Sequence, residues 1–508
     1  MSDLLLGLDV GTSGVKAGVV DASGRLLGLG RRSHENHSPH AGWVQCDTEA
    51  WWQGAVAALG DACAEAGVAP SDISAVGVSV LFPCIVLFDA DGRGLYPALL
   101  YSDRRSVHEA SAIEAMIPRD EYEAIIGNVL VPGTCAVTSL AWLRDKQEEA
   151  YDAAHAFGFA NTAITARLTG EFATDPTQVA LSGLVDIRDP WHWNRDLCDR
   201  VGIDSERLPR ITGAAEVIGT VTHGAAVATG LREGTPVVCG SGDVPASALG
   251  CGAIEPSTVV YVAGSTDCVA VPTHAPTRDR RWVNCAYIPR NRWLPIGTTT
   301  SSGVSVEWFL RELLGQAGDD GLRAMTELAQ QSEIGSGRVV YLPYLQGERT
   351  PIWDPRARGT FFGLSTTTTR ADLARAVFEG TAFALRHVIE CLEGILGESV
   401  DEIRSVGGGT RNALWNQIKA DVLRKRLAVL EFQETSALGA ALLAGLGTGL
   451  YDSFGAAATV ARSCNRTRAV EPDLARSARY DEFHTLFTQL YPATKHVANA
   501  LAAGSDRG

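Results

Sequence analysis

Apolar positions near the start of the chain fall in two short runs, Leu5-Leu6-Gly7-Leu8-Asp9-Val10 and Ala17 to Val20, separated by Gly11-Thr12-Ser13-Gly14-Val15-Lys16. Runs of this length around a Gly/Ser segment predict two strands joined by a turn. A third strand is expected near Arg25 to Gly30, then a helix from about Thr48 to Ala66 and a strand at Ile73 to Val80. This alternation predicts an α/β fold, with mixed sheets flanked by helices. Near residue 255 the opening pattern restarts as Thr258 to Ala263, a Gly264-Ser265-Thr266 turn, and Asp267 to Val271. The chain therefore reads as duplicated, with domains over 1–252 and 253–508 and a cleft between them. Further on, Gly407-Gly408-Gly409-Thr410-Arg411-Asn412 joins a short strand to a helical run from Ala413 to Lys425. The glycine-rich stretch from Ala437 to Leu450 reads as a tightly packed helix and turn.

Composition supports a folded, soluble chain. At 508 residues it is too long for one core, so two large domains, or three, are expected. The formal net charge of −15 disfavours nucleic-acid and membrane-surface partners, which select for basic surfaces. Acidic residues interrupt the only apolar stretch at the N-terminus, so neither a signal peptide nor a membrane span is expected. Eleven cysteines lack any Cys-x-x-Cys pair, a pattern of reduced, buried thiols in a cytoplasmic protein.

Candidate chemistry begins at the first turn. Gly11 and Gly14 let backbone N–H groups approach an anion, Thr12 and Ser13 add hydroxyls, and Asp9 sits where a phosphate-bound Mg²⁺ would need an oxygen ligand. An ordinary β-hairpin fits the same residues. The run Gly234 to Asp243 is a buried strand ending in Gly-Ser-Gly, which puts Asp243 at a strand's C-terminal end, a usual place for chemistry in open α/β sheets. An Asp after Gly also serves as a turn or cap residue. At the triple glycine a flat ligand can lie against the backbone, and Asn412 can cap the next helix or bond a base or ribose.

These residues resemble the FGGY carbohydrate kinases, within the actin, hexokinase and heat-shock chaperone ATPase superfamily. The most specific segment is Gly359-Thr360-Phe361-Phe362-Gly363-Leu364, followed after seven residues by Asp372 to Gly380. Tyr344 to Pro351, the triple glycine with Trp415 and Gln417, and Gly42-Trp43 before Trp51-Trp52 support it. The resemblance implies two actin-like, ribonuclease H-like domains and ATP-dependent, Mg²⁺-assisted phosphoryl transfer to a sugar or polyol hydroxyl. It also implies that Asp9 acts on Mg²⁺ and that Asp243 is the catalytic base. Gly11, Thr12, Ser13, Lys16, Gly264, Ser265 and Thr266 fall at the phosphates by the same likeness, and Gly303, Glu307, Gly408, Gly409 and Asn412 at the nucleotide. Closure of the two halves over the sugar is expected, because an open site would phosphorylate water.

The likeness weakens at the acceptor. Where xylulose-kinase-like members carry polar Gln and His, this chain has an apolar wall, Leu81-Phe82-Pro83 after Val80. Ser139 stands where a lysine is usual, and Val244-Pro245 follows Asp243. Asp103, in Tyr101-Ser102-Asp103-Arg104-Arg105, is a candidate sugar contact, with an internal salt bridge to an arginine as the alternative. His34, His37 and His40 fit a solvated or substrate loop better than a metal cluster. The leading expectation is a ketopentose kinase, with xylulose the best single acceptor. Ribulose, erythritol, glycerol and gluconate remain open, as does a non-kinase ATP-driven conformational protein or sugar sensor. Expected partners are the small sugar or polyol, with homodimerisation left open.

Overall fold

In the computed structural model, residues 3–256, 258–400 and 402–505 are described. The chain packs as two compact units, both discontinuous. The first combines residues 1–256, 272–295 and 434–465; the second combines 257–271, 296–433 and 466–508.

The first unit is built on β1 (Leu4–Val10), β2 (Gly14–Asp21), β3 (Leu26–Ser33), β4 (Ala75–Val80), β5 (Val217–Thr220) and β6 (Pro236–Val238), ordered β5-β6-β4-β1-β2-β3. The pairs β3–β2 and β2–β1 are antiparallel, β1–β4 and β4–β6 parallel, and β6–β5 antiparallel. β1 and β4 are buried along their whole length, which explains their nearly continuous apolar runs. Helix α1 (Thr48–Ala66) begins at Asp47, whose side chain accepts from Glu49 N–H, and ends at Gly67 in the left-handed region.

In the second unit, β7 (Val259–Ala263), β8 (Asp267–Ala270), β9 (Trp293–Thr298), β10 (Glu402–Val406), β11 (Arg426–Leu430) and β12 (Thr467–Val470) follow the order β9-β8-β7-β10-β11-β12. Read from β9, the pairings are again antiparallel, antiparallel, parallel, parallel, antiparallel. The duplication expected from two Gly/Ser/Thr turns is thus a shared six-strand path within two seven-stranded sheets, the first adding Ser241–Gly242 beside β4 and the second Val283–Ala286 beside β9.

The apolar, glycine-rich stretch forms α2 (Thr435–Gly447), a helix of the first unit. A methyl group at Gly7 would overlap the Ala437 carbonyl, and one at Gly77 the Ala440 carbonyl. The helix therefore lies with its backbone against the sheet, a packing that larger side chains would prevent. The most specific sequence segment proves to be a packing device of the second unit. Asp372 completes a capping box with Thr369 at the start of α3 (Arg370–Leu396), and buried Glu379 accepts from Arg375 at 2.6 Å, Ser336 at 2.7 Å and the Tyr480 hydroxyl at 2.9 Å. All eleven cysteines are free thiols, eight of them buried.

Candidate active site

At the C-terminal ends of the first unit's parallel strands, two carboxylates approach each other. Asp9 is the penultimate residue of β1 and pairs in register with Ser79 of β4, whose hydroxyl donates to Asp9 Oδ1 at 2.8 Å. Asp243 follows the two-residue strand Ser241–Gly242, which pairs with Ser79 and Val80 of the same β4. It opens the helix Asp243–Gly250, and its Oδ1 accepts from Val244 N–H at 2.8 Å. Burial first and the charge of Asp9 second push Asp243 up to about 7, against the Val244 N–H and Lys16. Asp9 is itself raised by burial, with Lys16 and Ser79 opposing. A carboxyl that titrates near neutrality at a strand terminus suits a proton acceptor for an alcohol.

The first turn is held from outside as well as within. Gly11 N–H donates to the Gly14 carbonyl at 2.9 Å, His34 Nε2 lies 3.1 Å from the Gly11 carbonyl, and Asn36 Nδ2 donates to the Thr12 carbonyl at 2.8 Å. His34 therefore belongs to the turn. His40 packs edge-on against Trp43, and among the described residues no group of three or more His, Cys, Asp or Glu is arranged to hold a metal ion. Lys16 Nζ sits 2.6 Å from Glu434, which also accepts from Arg31 at 2.6 Å. Burial would raise Glu434, but its bonds with Lys16 and Arg31 outweigh this and hold it below the usual range. Sequence reasoning missed Glu434 because more than four hundred residues separate it from Lys16. Ser79 was within reach, since strand register places it opposite Asp9.

Near Asp243, the Phe82 ring packs so closely on Gly242 that a methyl carbon there would sit 2.6 Å from it, while Leu81 is fully buried. The wall expected from the sequence thus puts Phe82 beside the catalytic candidate. Asp103 is locked internally. Its oxygens accept from Val44 N–H at 2.6 Å, from Arg105 N–H at 2.9 Å and from the Arg105 guanidinium, and that guanidinium lies 3.8 Å from the Trp43 ring centre and 4.9 Å from that of Trp142.

The second unit carries the other turn. Gly264 N–H donates to the Thr266 carbonyl at 3.1 Å, and Ser265 and Thr266 are exposed. Gly303 N–H donates to the Gly264 carbonyl at 3.1 Å and Val304 N–H to the Ser265 carbonyl at 3.1 Å. A methyl carbon at Gly303 would sit 2.5 Å from the Gly264 carbonyl oxygen, so this position requires glycine. Glu307, a turn later on the same helix, is exposed. At the triple glycine, Gly407 has φ +102° and its N–H donates to Gln433 at 2.7 Å, while Gly408 is exposed and Gly409 packs against Ala263 and Trp415. Asn412 caps α4 (Ala413–Leu423) by accepting from Trp415 N–H at 2.9 Å and donates to Thr326 at 2.8 Å.

Comparison with known proteins fits this geometry. Sequence models of the FGGY family of carbohydrate kinases match residues 4–250 for the N-terminal domain and 259–448 for the C-terminal domain. A xylulose kinase of Staphylococcus xylosus is 27% identical over 454 residues, covering 89% of this chain and 92% of its own length. A glycerol kinase of Thermococcus gammatolerans is 30% identical over 470 residues, 89% of this chain and 91% of its own. The crystal structure of xylulose kinase from Rhodospirillum rubrum superposes with a TM-score of 0.88 at 30% identity, covering 97% of this chain and 99% of that one. Fold and relatives together define a two-domain, actin-like sugar kinase, an ATP-using phosphotransferase with an alcohol group as acceptor. The chain belongs to the FGGY family of carbohydrate kinases.

Proposed function

We propose that this chain phosphorylates a ketopentose, xylulose being the best single acceptor, with Asp243 as the base that takes the hydroxyl proton. The observation that carries this reading is the Asp9–Asp243 pair at the ends of the two strands that flank β4, with Asp243 raised to about 7. Phosphoryl transfer asks the protein mainly for positioning and charge neutralisation, so a carboxylate that orients the hydroxyl and receives its proton suffices. Residues 1–252 would supply the acceptor site and base, and residues 253–508 the nucleotide site. Gly11, Thr12, Ser13 and Lys16, together with Gly264, Ser265 and Thr266, are the proposed triphosphate contacts; Gly303, Glu307, Gly408, Gly409 and Asn412 are assigned to the rest of the nucleotide. Leu81 and Phe82 would form the apolar side of the acceptor pocket, with Asp103 behind it.

Asp9 fits Mg²⁺: a buried carboxylate with one oxygen held by Ser79, beside a second carboxylate, is a hard-oxygen setting that favours a divalent cation with phosphate oxygens and water completing its shell. Bound there, the ion would neutralise phosphate charge. A cytoplasmic location and a homodimer are part of the same reading. The named relatives also favour glycerol as a second acceptor. A coupled ADP-release screen over pentuloses, tetritols, glycerol and aldonates, with wild type and Asp243→Ala, decides between them. Acceptor-independent ATP turnover untouched by the substitution would falsify the reading.

A further inference from the structure

Directly behind the second turn lies a buried pair of opposite charges that phosphate contact alone does not require. Asp267 follows Thr266, is 1% exposed, and has its Oδ1 bonded to the Tyr261 hydroxyl at 2.9 Å. Its N–H donates to Thr299 Oγ1 at 3.3 Å, and its Oδ2 is buried without a hydrogen-bond partner. Lys419, on α4 behind the triple glycine, is fully buried, and its Nζ lies 3.7 Å from the Trp415 ring centre and 5.0 Å from that of Tyr261. That ammonium likewise has no hydrogen-bond partner. Burial raises Asp267, opposed first by Lys419 and then by the Ser302 and Tyr261 side chains, and burial pushes Lys419 down to about 8, opposed by Asp267.

A carboxylate one residue past a phosphate-binding turn repels the anion the turn must receive, and in a dry interior that repulsion is weakly screened. A buried ammonium on two aromatic faces, with no carboxylate bonded to it, is costly unless a nearby negative charge compensates it. Each residue thus makes sense through the other.

We propose that Lys419 is a positioning residue of the nucleotide site, neutralising Asp267 so that the Gly264–Thr266 turn can accept phosphate. This rests on the assignment of that turn to the triphosphate. Lys419→Met should weaken ATP binding about tenfold, ADP less and adenosine hardly at all, because the effect scales with phosphate charge; tenfold corresponds to about 1.4 kcal/mol. The KM for the acceptor should stay within about twofold. In the double variant Lys419→Met/Asp267→Asn, which removes both charges, ATP affinity should return to within about threefold of wild type.

Titration calorimetry with ATP, ADP and adenosine on the full chain, with thermal unfolding alongside, reads all of this. Equal weakening of all three ligands, or a double variant as impaired as the single one, overturns the proposal. If Lys419→Met does not fold, the double variant against Asp267→Asn alone carries the test, with near-equal ATP affinities expected and a tenfold gap refuting it. Wild type that binds no nucleotide would instead refute the underlying assignment.

Discussion

Replacing Asp243 by Asn should make the ligand-free protein more stable while removing most of its turnover. The carboxyl rises from an ordinary 3.8 to about 7 on folding. That is a rise of about 3 pH units, and at 1.36 kcal/mol each the ionised group weighs against the folded state by up to about 4 kcal/mol above neutrality. A raised carboxyl means that the folded chain holds its proton more tightly than the unfolded one, so stability falls as pH rises from about 4 to about 7 and is level beyond. Asparagine cannot ionise, keeps the shape and retains an oxygen for the Val244 N–H. Allowing for the polar contacts the amide fails to reproduce, it should recover about 2 kcal/mol at pH 8, or roughly 5 °C in Tm. Its advantage should be smallest near pH 4 and grow up to pH 7. Turnover should fall about 10²- to 10⁴-fold, the usual worth of general-base help. Differential scanning fluorimetry between pH 4 and 8, paired with the coupled ADP assay, measures both. A stability difference that is flat or shrinks with rising pH, or a variant with wild-type turnover, would refute the reasoning.

Other consequences are as direct. The acid limb of the kcat/KM profile should lie near pH 7, and its absence between pH 5.5 and 8.5 would remove Asp243 as the titrating base. Chelation by EDTA should abolish turnover and added Mg²⁺ restore it, as read by ADP release. Lys16→Met should raise the KM for ATP about tenfold by removing a cation from the first turn, with Glu434 keeping its bond to Arg31. Gly303→Val should displace the Gly264 carbonyl and raise the KM for ATP with little effect on that for the acceptor. Asp103→Asn should cost about 3–5 kcal/mol of stability, measured by thermal unfolding, because it strands a buried guanidinium. A change in acceptor KM without a loss of stability would instead make Asp103 a sugar contact.

Much of the fold was legible because period and punctuation are local. Helix α1 begins and ends where the pattern put it, since Asp47 and Gly67 supply both caps within the same stretch. The strand expected from Ile73 starts at Ala75, a difference of the size that strand ends normally show. The helix expected to reach Lys425 ends at Leu423, because Arg424 takes the left-handed conformation, a cap with no glycine to announce it. What the sequence could not reveal was long-range pairing. Glu434 beside Lys16 is one case, and Trp43 and Trp142 closing around the Asp103–Arg105 pair, the salt bridge the sequence left open beside a sugar contact, are another. A family-specific motif need not lie in the chemistry: the segment from Gly359 to Gly380 identifies the family, and its Asp372 and Glu379 serve a helix cap and a buried polar network.

The duplicated sheets carry their carboxylates differently, and this separates their chemical tasks. In the first unit Asp9 precedes the turn, Asp243 follows a strand on the other side of β4, and burial together with the Asp9 charge raises Asp243. Such a pair gains from a cation and is ready to take a proton. In the second unit the carboxylate follows the turn, is directed into the interior by the Tyr261 hydroxyl, and is opposed by Lys419. A turn whose acid is compensated from behind offers an approaching phosphate only backbone N–H groups and hydroxyls. On the proposed assignments, the shared framework therefore serves a cation in one copy and an anion in the other, the acidic side chain nearest the turn standing before it in the first (Asp9) and after it in the second (Asp267).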